Sequence, residues 1–391
     1  MSKIQEMIDR MCPDGVQYKP LGEVCDIHKG VQFNKANMAT EGTFPVMNGG
    51  VNPSGYVEVY NENENTITIS QGGASAGYVN FLYGKFWLGA HCYAVKPTTE
   101  VENRYLYHFI KLNEKILQQC QYGAGIPALA KSTITSLEIP VPPIEVQRKI
   151  VEVLDNFSEL TAELTAELTA RKKQYEYYRD NLLSFKGINK GGQSEVKWLA
   201  LGDIGTMYKG TGIQKKDFRD SGIPCIHYGQ IHTYYSTWAT KTKSFVDSKL
   251  ARSMAHPGDL IIATTSEDVD ACCKAVAWLG DTDVAVSGDA TVFHHNQNPK
   301  YMAYLFQTEL FAEQKRLAAT GVKVTRVSPE NMLRFRFPFP SLKKQEEIVS
   351  ILDKYESLNN SFTDGLPAEI KARQQQYEYY RDQLLTFKRA N

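Results

Sequence analysis

Several features that would assign the chain to a particular class of protein are missing from its sequence. No run approaches about eighteen consecutive apolar residues, the length that a membrane-spanning helix needs. The first residues, MSKIQEMIDRMCPDG, contain no basic stretch followed by an apolar core, so we expect no secretory signal. The seven cysteines are scattered and odd in number, which favours reduced thiols. We therefore expect a cytoplasmic protein that does not enter a membrane.

Net charge is also absent, because lysine plus arginine and aspartate plus glutamate both number 44. Proteins that bind nucleic acid without sequence preference are usually basic. A nucleic-acid role therefore requires local basic patches, with the acidic residues on other surfaces. The 42% hydrophobic and 23% charged residues are typical of a folded protein, and 391 residues are enough for two domains.

The sequence contains no recognisable catalytic motif. It has neither a GxxxxGK[ST] loop, nor a GxGxxG after a predicted strand, nor HExxH. Asn52-Pro53-Ser54-Gly55 lacks the second proline and the aromatic ring of the Asn/Asp-Pro-Pro-aromatic motif of amino-methyltransferases. Cys272-Cys273 with His294-His295 is a weak zinc candidate, because adjacent cysteines suit a tetrahedral ion poorly. We predict no catalytic residue, no cofactor and no metal, and an enzyme is the least favoured class.

What the sequence does contain is an internal repeat. Leu21-Gly22-Glu23-Val24 returns as Leu201-Gly202-Asp203-Ile204, and each is followed by a Lys-Gly pair. LEIPVPPIEVQRKIVEVLDNF, from Leu137, returns as FRFPFPSLKKQEEIVSILDKY, from Phe335. QYEYYRDNLLSF (174–185) returns as QYEYYRDQLLTF (376–387). The order is the same in both copies, so the chain consists of two copies of one unit, each a variable region followed by a helix.

The helices are predicted by a heptad pattern of apolar and aromatic residues, which we call the seam. In the first copy Pro140, Pro142 and Pro143 prevent an earlier start, and Gly187 is predicted to end the helix. In the second copy Asp364-Gly365-Leu366-Pro367 interrupts the seam, and Pro367 suits the first turn of a new helix. The first seam consists of Ile150, Leu154, Phe157, Thr161, Leu164, Leu168, Arg171, Tyr175, Tyr178, Leu182 and Phe185.

These patterns predict an α+β protein with two mixed α/β modules in tandem, separated by two long helices that pack as an antiparallel coiled coil. Residues 66–69 and 260–263 are typical of buried strands, and residues 105–120 and 301–319 of short helices. The predicted boundaries are 1–142 for the first module, 143–186 for the first helix, 187–340 for the second module and 341–391 for the second, kinked helix.

Basic, amide and aromatic side chains in predicted loops suggest DNA contacts, although loops are polar in most proteins. Lysine and arginine meet phosphates, and glutamine, asparagine and arginine pair with base edges. The candidates in the first half are Lys29, Gln32, Lys35, Asn48, Gln71, Ser75 and Tyr78. Those in the second half are Lys209, Lys215, Lys216, Arg219, His227, Tyr228, Gln230, Lys323 and Arg326.

Over essentially its whole length the chain resembles the specificity subunit of Type I restriction–modification enzymes. The resemblance rests on the repeated motifs above and on LTAELTAELTA (160–170), a four-residue repeat that looks like the IC class of this family. It implies that the modules are target-recognition domains for double-stranded DNA and that the helices are spacers, with Thr161, Leu164, Thr165 and Leu168 in the repeat. It also implies two methyltransferase subunits and ATP-dependent restriction subunits as partners.

Physical reasoning favours the same arrangement, because one small module recognises too few base pairs for useful selectivity. Two different modules at a fixed distance predict an asymmetric target of two short blocks around an unrecognised gap. The alternative is a two-module scaffold that binds proteins, which the neutral charge also fits. Salt-sensitive DNA binding distinguishes the two.

Overall fold

The structure is a computed structural model, and it describes residues 2–123, 125–185, 196–321, 324–360 and 365–390. The chain forms two compact units, unit 1 from Met1–Thr165 with Ala368–Asn391, and unit 2 from Ala166–Pro367. Within the described residues no helix is long and apolar enough to cross a membrane. The helices are α1 (Ser2–Met11), α2 (Leu21–Val24), α3 (Asn103–Leu112), α4 (Glu114–Gln119), α5 (Lys131–Thr135), α6 (Ile144–Ser184), α7 (Leu201–Ile204), α8 (Tyr228–Thr233), α9 (Pro299–Leu305), α10 (Glu309–Ala318), α11 (Pro329–Met332), α12 (Leu342–Asn360) and α13 (Leu366–Leu384).

Unit 1 is built on a four-stranded antiparallel sheet in the order β2-β8-β5-β6 and a three-stranded sheet in the order β4-β3-β7. A third pair, β1 with β9, leads into α6. The strand predicted at residues 66–69 is confirmed as β5, whose residues are all buried. The strands of this unit are β1 (Tyr18–Pro20), β2 (Cys25–Lys29), β3 (Phe44–Met47), β4 (Tyr56–Val57), β5 (Thr66–Ser70), β6 (Val79–Leu82), β7 (Trp87–Leu88), β8 (Cys92–Pro97) and β9 (Glu138–Pro140).

Unit 2 repeats this plan. Its main sheet has the order β11-β20-β16-β18-β13, in which the first four strands correspond to those of unit 1, and the second has the order β14-β12-β19-β15. The strand predicted at residues 260–263 is confirmed as β16. The strands are β10 (Lys197–Ala200), β11 (Gly205–Lys209), β12 (Ile223–Ile226), β13 (Trp238–Ala239), β14 (Ser244–Val246), β15 (Met254–Ala255), β16 (Leu260–Ala263), β17 (Thr265–Ser266), β18 (Lys274–Trp278), β19 (Val284–Val286), β20 (Ala290–His295), β21 (Thr325–Arg326) and β22 (Arg336–Phe339).

The repeated Lys-Gly pair has a steric cause that is the same in both units. A Cβ atom on Gly30 would lie 2.3 Å from the carbonyl oxygen of Leu88, and one on Gly210 would lie 2.1 Å from that of Ser287. Only glycine fits where the first strand of each main sheet gives way to a loop.

The long helices begin and break where the sequence predicts. Helix α6 starts directly after the prolines, and the second helix is divided into α12 and α13 with Pro367 in the first turn of α13. Gly365, just before that turn, has a φ of 125°, which favours glycine. Helix α6 ends earlier than predicted, because Phe185 adopts a left-handed φ of 52°. Gly187, Asp364 and Phe362, the residue of the second copy's seam just before its interruption, lie outside the described residues.

Each unit contains a pair of these helices. In unit 1 the ring of Phe157 on α6 stacks on that of Tyr380 on α13, with centroids 5.2 Å apart. Tyr18 pairs with Pro140, just before α6, and donates its hydroxyl hydrogen to the carbonyl oxygen of Phe387, just after α13, at 3.0 Å. The start of α6 therefore lies beside the end of α13, and the predicted antiparallel pairing is confirmed in this unit.

In unit 2 the last part of α6 packs against α12. Tyr178 stacks on Tyr355 with ring centroids 6.1 Å apart, and Leu183 and Leu352 are both fully buried in the core of the unit. The seam is buried only near the start of α6, where Ile150 and Leu154 are buried, whereas Arg171 in its middle is exposed. Near the end of α6 the buried residues are Arg179 and Leu183, which the predicted seam does not include. Thr161, Leu164 and Leu168 are half-buried and Thr165 is exposed, close to the point where α6 passes from unit 1 to unit 2.

Candidate nucleic-acid interface

The main sheet of unit 1 gathers several loops at one edge. Lys29 ends β2 opposite Tyr93, and Ser70 ends β5 opposite Cys92, so β2 and β5 end where β8 begins. The loops beyond these residues are joined by hydrogen bonds among Asn48, Gln71, His91 and Leu129. The amide of Gln71 donates to the carbonyl of His91 at 2.8 Å, and that of Leu129 donates to the carbonyl of Gln71 at 2.7 Å. We call residues 29–35, 48–50, 71–78, 89–91, 122–123 and 125–129 the loop end of unit 1.

The structure places the candidates of the first half at this loop end. Lys29, Gln32 and Lys35 are exposed, whereas Asn48, Gln71, Ser75 and Tyr78 are half-buried. The Asn48 Oδ1 accepts a hydrogen bond from the amide of His91 at 3.2 Å, so Asn48 also supports the neighbouring loop. The ring of Tyr78 lies under the ammonium group of Lys111, 4.5 Å from it, and faces helix α3. Tyr78 is therefore the least available of these side chains.

Sequence reasoning missed His91, which is exposed between Asn48 and Gln71. A single histidine just before a strand gives no signal in the sequence. Only the pairing of β8 with β2 and β5 brings it to the loop end.

Unit 2 gathers its loops in the corresponding place. Lys209 ends β11 opposite Thr291, and Ala263 ends β16 opposite Ala290. The amide of Thr264 donates to the carbonyl of Asp289 at 3.1 Å, which joins two of the loops. We call residues 209–219, 227–230, 264–273, 287–289, 320–321 and 324–327 the loop end of unit 2.

The candidates of the second half divide into exposed cations and side chains that support the loops. Gln230 uses both ends of its amide group, since its Oε1 accepts from the amide of His227 at 3.1 Å and its Nε2 donates to Ser244 Oγ at 2.7 Å. His227 is buried, and its Nδ1 accepts from the amide of Gly229 at 3.1 Å. Tyr228 is half-buried against the core of the unit. The exposed cations are Lys209, Lys215, Lys216, Arg219 and Arg326, and Lys323 lies outside the described residues.

The electrostatics at the loop end of unit 2 leave these cations available. Lys300 and Arg316, elsewhere in the unit, pair with carboxylates. Within the described part of the chain, ion pairs of this kind do not include the five loop-end cations. Burial and the nearby ammonium group of Lys215 lower the pKa of His227, so this ring is neutral at pH 7. The positive charge at the loop end therefore comes from lysine and arginine.

The register of the main sheet keeps apart the cysteines and the histidines that form the weak zinc candidate. The amide of Cys273 donates to the carbonyl of Ala263 at one end of β16, whereas Leu260, at the other end, pairs with Phe293 beside His294. Cys272 and Cys273 are buried, with their sulfur atoms 3.8 Å apart. The described residues contain no group of three or more histidine, cysteine or acidic side chains that fits a metal ion.

Comparison with known proteins decides the family. The sequence model of the Type I restriction modification DNA specificity domain matches residues 13–171 and 193–372. The chain belongs to this family. A Haemophilus influenzae protein provisionally named a type I restriction enzyme specificity subunit is 31% identical over 391 residues, which cover 95% of this chain and 96% of the relative. The Escherichia coli EcoR124I/EcoR124II specificity subunit is 31% identical over 270 residues, 66% of this chain and 65% of that protein.

Solved structures show the same fold for this family member. The S subunit of a Type I restriction–modification system from M. genitalium superposes with a TM-score of 0.58 at 18% identity, over 95% of this chain and 96% of that one. A chain from a study of complex assembly of the type I R-M system gives 0.58 at 13% identity, over 95% and 97%. The resemblance drawn from the sequence is thus confirmed, with the non-catalytic role of a DNA specificity subunit. The IC class remains a prediction.

Proposed function

We propose that each unit of this specificity subunit binds one half of an asymmetric, bipartite target in double-stranded DNA through its loop end. The observation that supports this most directly is the equivalent placement of the two loop ends, each beyond the same edge of the same sheet. Their loops differ in sequence, so two different half-sites are expected. The boundaries 1–142, 143–186, 187–340 and 341–391 remain our proposed division into recognition domains and spacers.

In this proposal the exposed cations contact phosphates, whereas Gln230 and His227 shape the loop. Lys215→Ala should weaken binding to all DNA sequences and reduce the salt dependence by about one counterion, because one phosphate contact is lost. Arg326→Ala should relax one base preference at a cost of about 1–3 kcal/mol if its guanidinium group pairs with a base edge. Binding of the assembled complex to specific and random duplexes, measured over a series of salt concentrations, tests both changes.

Lys344→Ala is the matched control, because Lys344 is exposed on α12 and pairs with Glu347. It should change neither affinity nor salt dependence. The same insensitivity for Lys215→Ala and Arg326→Ala would place the DNA elsewhere on unit 2.

We also propose that the two spacer helices each bind one methyltransferase subunit, with restriction subunits joining for cleavage. The near-identical segments 174–185 and 376–387 agree at exposed positions as well as at packed ones. Tyr177 is 65% exposed and Tyr379, its counterpart, is 60% exposed. Each ring packs edge-on against the next tyrosine in the chain, with centroids 5.6 Å apart for Tyr177 and 5.4 Å apart for Tyr379, and still remains mostly exposed. Two molecules of one partner would need this same exposed surface twice.

Tyr177→Ala and Tyr379→Ala should therefore each remove one bound methyltransferase subunit, and the double variant should remove both. The mass of the purified complex measures this directly. Glu176→Ala, one residue earlier on the same exposed stretch, tests whether charge contributes. Full occupancy in the double variant would exclude these tyrosines from the docking surface.

A further inference from the structure

Each recognition domain is attached to the helix that follows it at two levels, and the arrangement is the same in both units. The first level is a buried glutamine near the start of the helix. In unit 1 the Nε2 of Gln147 donates to the carbonyl of Glu100 at 3.0 Å, and its Oε1 accepts from the amide of Glu102 at 2.8 Å. In unit 2 the Oε1 of Gln345 accepts from the amide of Asn298 at 3.0 Å.

The second level is an aspartate about two helical turns further along. In unit 1 Asp155 on α6 accepts from the Nε2 of His108 at 2.8 Å and from the Nε of Arg104 at 3.1 Å, both on α3. His108 is fully buried, and its Nδ1 lies 3.0 Å from the hydroxyl of Tyr377 on α13. Although burial alone raises the pKa of Asp155, the hydrogen bonds from His108 and Arg104 lower it to about 2, so the carboxylate is charged at pH 7.

Unit 2 forms the second level with different side chains. Asp353 on α12 accepts from the Nζ of Lys300 at 2.6 Å and from the hydroxyl of Tyr304 at 2.8 Å, both on α9. The two aspartates occupy equivalent positions in the repeated LD dipeptides, and their partners occupy equivalent positions on α3 and α9. An arginine and a histidine in one copy are replaced by a lysine and a tyrosine in the other, so the contact is common to both copies while the partners differ.

Two attachment points on one helix constrain a domain more than one point does. The glutamine fixes where the domain meets the helix, and apolar side chains such as Ile150 and Leu154 pack the domain onto it without a directional contact. A second contact about 12 Å further along the helix, from a rise of about 1.5 Å per residue, also fixes the angle. A ring or an ammonium group that bonds a charged carboxylate in a half-buried site resists bending more than an exposed pair does.

We infer that Asp155 and Asp353 are positioning residues, which hold each recognition domain at the angle that enforces a single gap length between the two half-sites. This rests on the proposed function. Neither aspartate belongs to a loop end, so neither chooses the bases of a half-site. Loosening either contact lets a domain reach a half-site that lies one base pair nearer or further.

The test is base-resolution mapping of methylated adenine in cells that carry the complete system with Asp155→Ala or Asp353→Ala. We expect methylation at sites with a gap one base pair longer or shorter to rise about tenfold relative to the normal gap, since removing one partner of such a pair leaves the other charge uncompensated. Both half-site sequences should stay the same. Glu152→Ala, which breaks the exposed pair with Lys149 three residues earlier on α6, should leave the ratio unchanged.

The ratio separates positioning from stability, because a variant that only unfolds loses methylation at all gap lengths equally. Asp155→Glu keeps a carboxylate at this position, so it should methylate only sites with the normal gap length. If Asp155→Ala does not accumulate, Lys300→Met, which keeps the length of the side chain and removes the ammonium group that bonds Asp353, decides the question in unit 2. The inference is wrong if the alanine variants reach the wild-type level of methylation and still methylate only sites with the normal gap length. A wild-type system without a bipartite motif would instead overturn the proposed function.

Discussion

Removal of residues 165–168 is expected to narrow the gap between the two half-sites by one or two base pairs and to leave both half-site sequences unchanged. Four residues span about 6 Å of helix, and one base pair spans about 3.4 Å of duplex. Alanine, leucine and glutamate favour helix, so α6 should shorten without breaking. The deletion falls at the position where α6 leaves unit 1 and enters unit 2, so it disturbs the core of neither unit.

Rotation accompanies the shortening. Four residues exceed one turn of helix by about 40°, and one base pair turns the duplex by about 34°, so the two rotations partly offset each other if they have the same sense. Base-resolution methylation mapping of the deletion strain measures the gap. Thr165→Ala, which keeps the length of the helix, is the control and should leave the gap as it is. An unchanged gap in the deletion strain would show that the repeat is only exposed helix.

Exchange of residues 18–142 for the corresponding region of a relative should replace one block of the methylated motif and preserve the other. We expect the whole of one block to change and none of the other, because the loop end of unit 1 lies within the exchanged region whereas that of unit 2 does not. The exchanged region also carries Arg104 and His108, which contact Asp155 on the retained helix. If the relative has a cation in place of Arg104 and a hydrogen-bond donor in place of His108, the exchange should therefore leave the gap length unchanged as well.

Methylation mapping again provides the measurement, and the reciprocal exchange of residues 196–340 is its control. That exchange should change the other block. If either exchange alters both blocks, the two units do not recognise DNA independently, and the proposed function would need a single shared interface.

The large features of the fold were predictable because they repeat or are periodic. The two copies, the prolines before α6 and the break at Pro367 are each recorded in a short stretch of sequence. The end of α6 was not predictable, since only the structure shows that the backbone of Phe185 leaves the helical region. Periodicity also placed Arg171 in the seam, whereas the structure buries the seam only at its start, at Ile150 and Leu154.

The sequence could propose the candidate interface by region but not by residue. Exposed cations near glycine-bearing loops follow from composition, and Lys215 and Arg326 are both exposed in the structure; that they contact DNA stays a prediction. His227 and Gln230 are of the residue types that contact bases, yet both are engaged within the loop. His91 reaches the loop end only through strand pairing between distant segments. Hydrogen bonds between residues far apart in the chain leave no local pattern to detect.

The division of unit 1 between the two ends of the chain has a consequence for synthesis on the ribosome. Unit 2 is continuous, so all of its residues have been synthesised before the last part of α13 is made. Unit 1 begins first but finishes last, because Leu384 and Phe387 complete the core around Ile150 and Leu154. Until then the nascent chain carries an uncovered apolar surface at its oldest end. Stop codons between Pro367 and Phe387 should thus be far more damaging than the few residues they remove suggest, because they release a chain with unit 2 complete and the core of unit 1 uncovered, which is prone to aggregate.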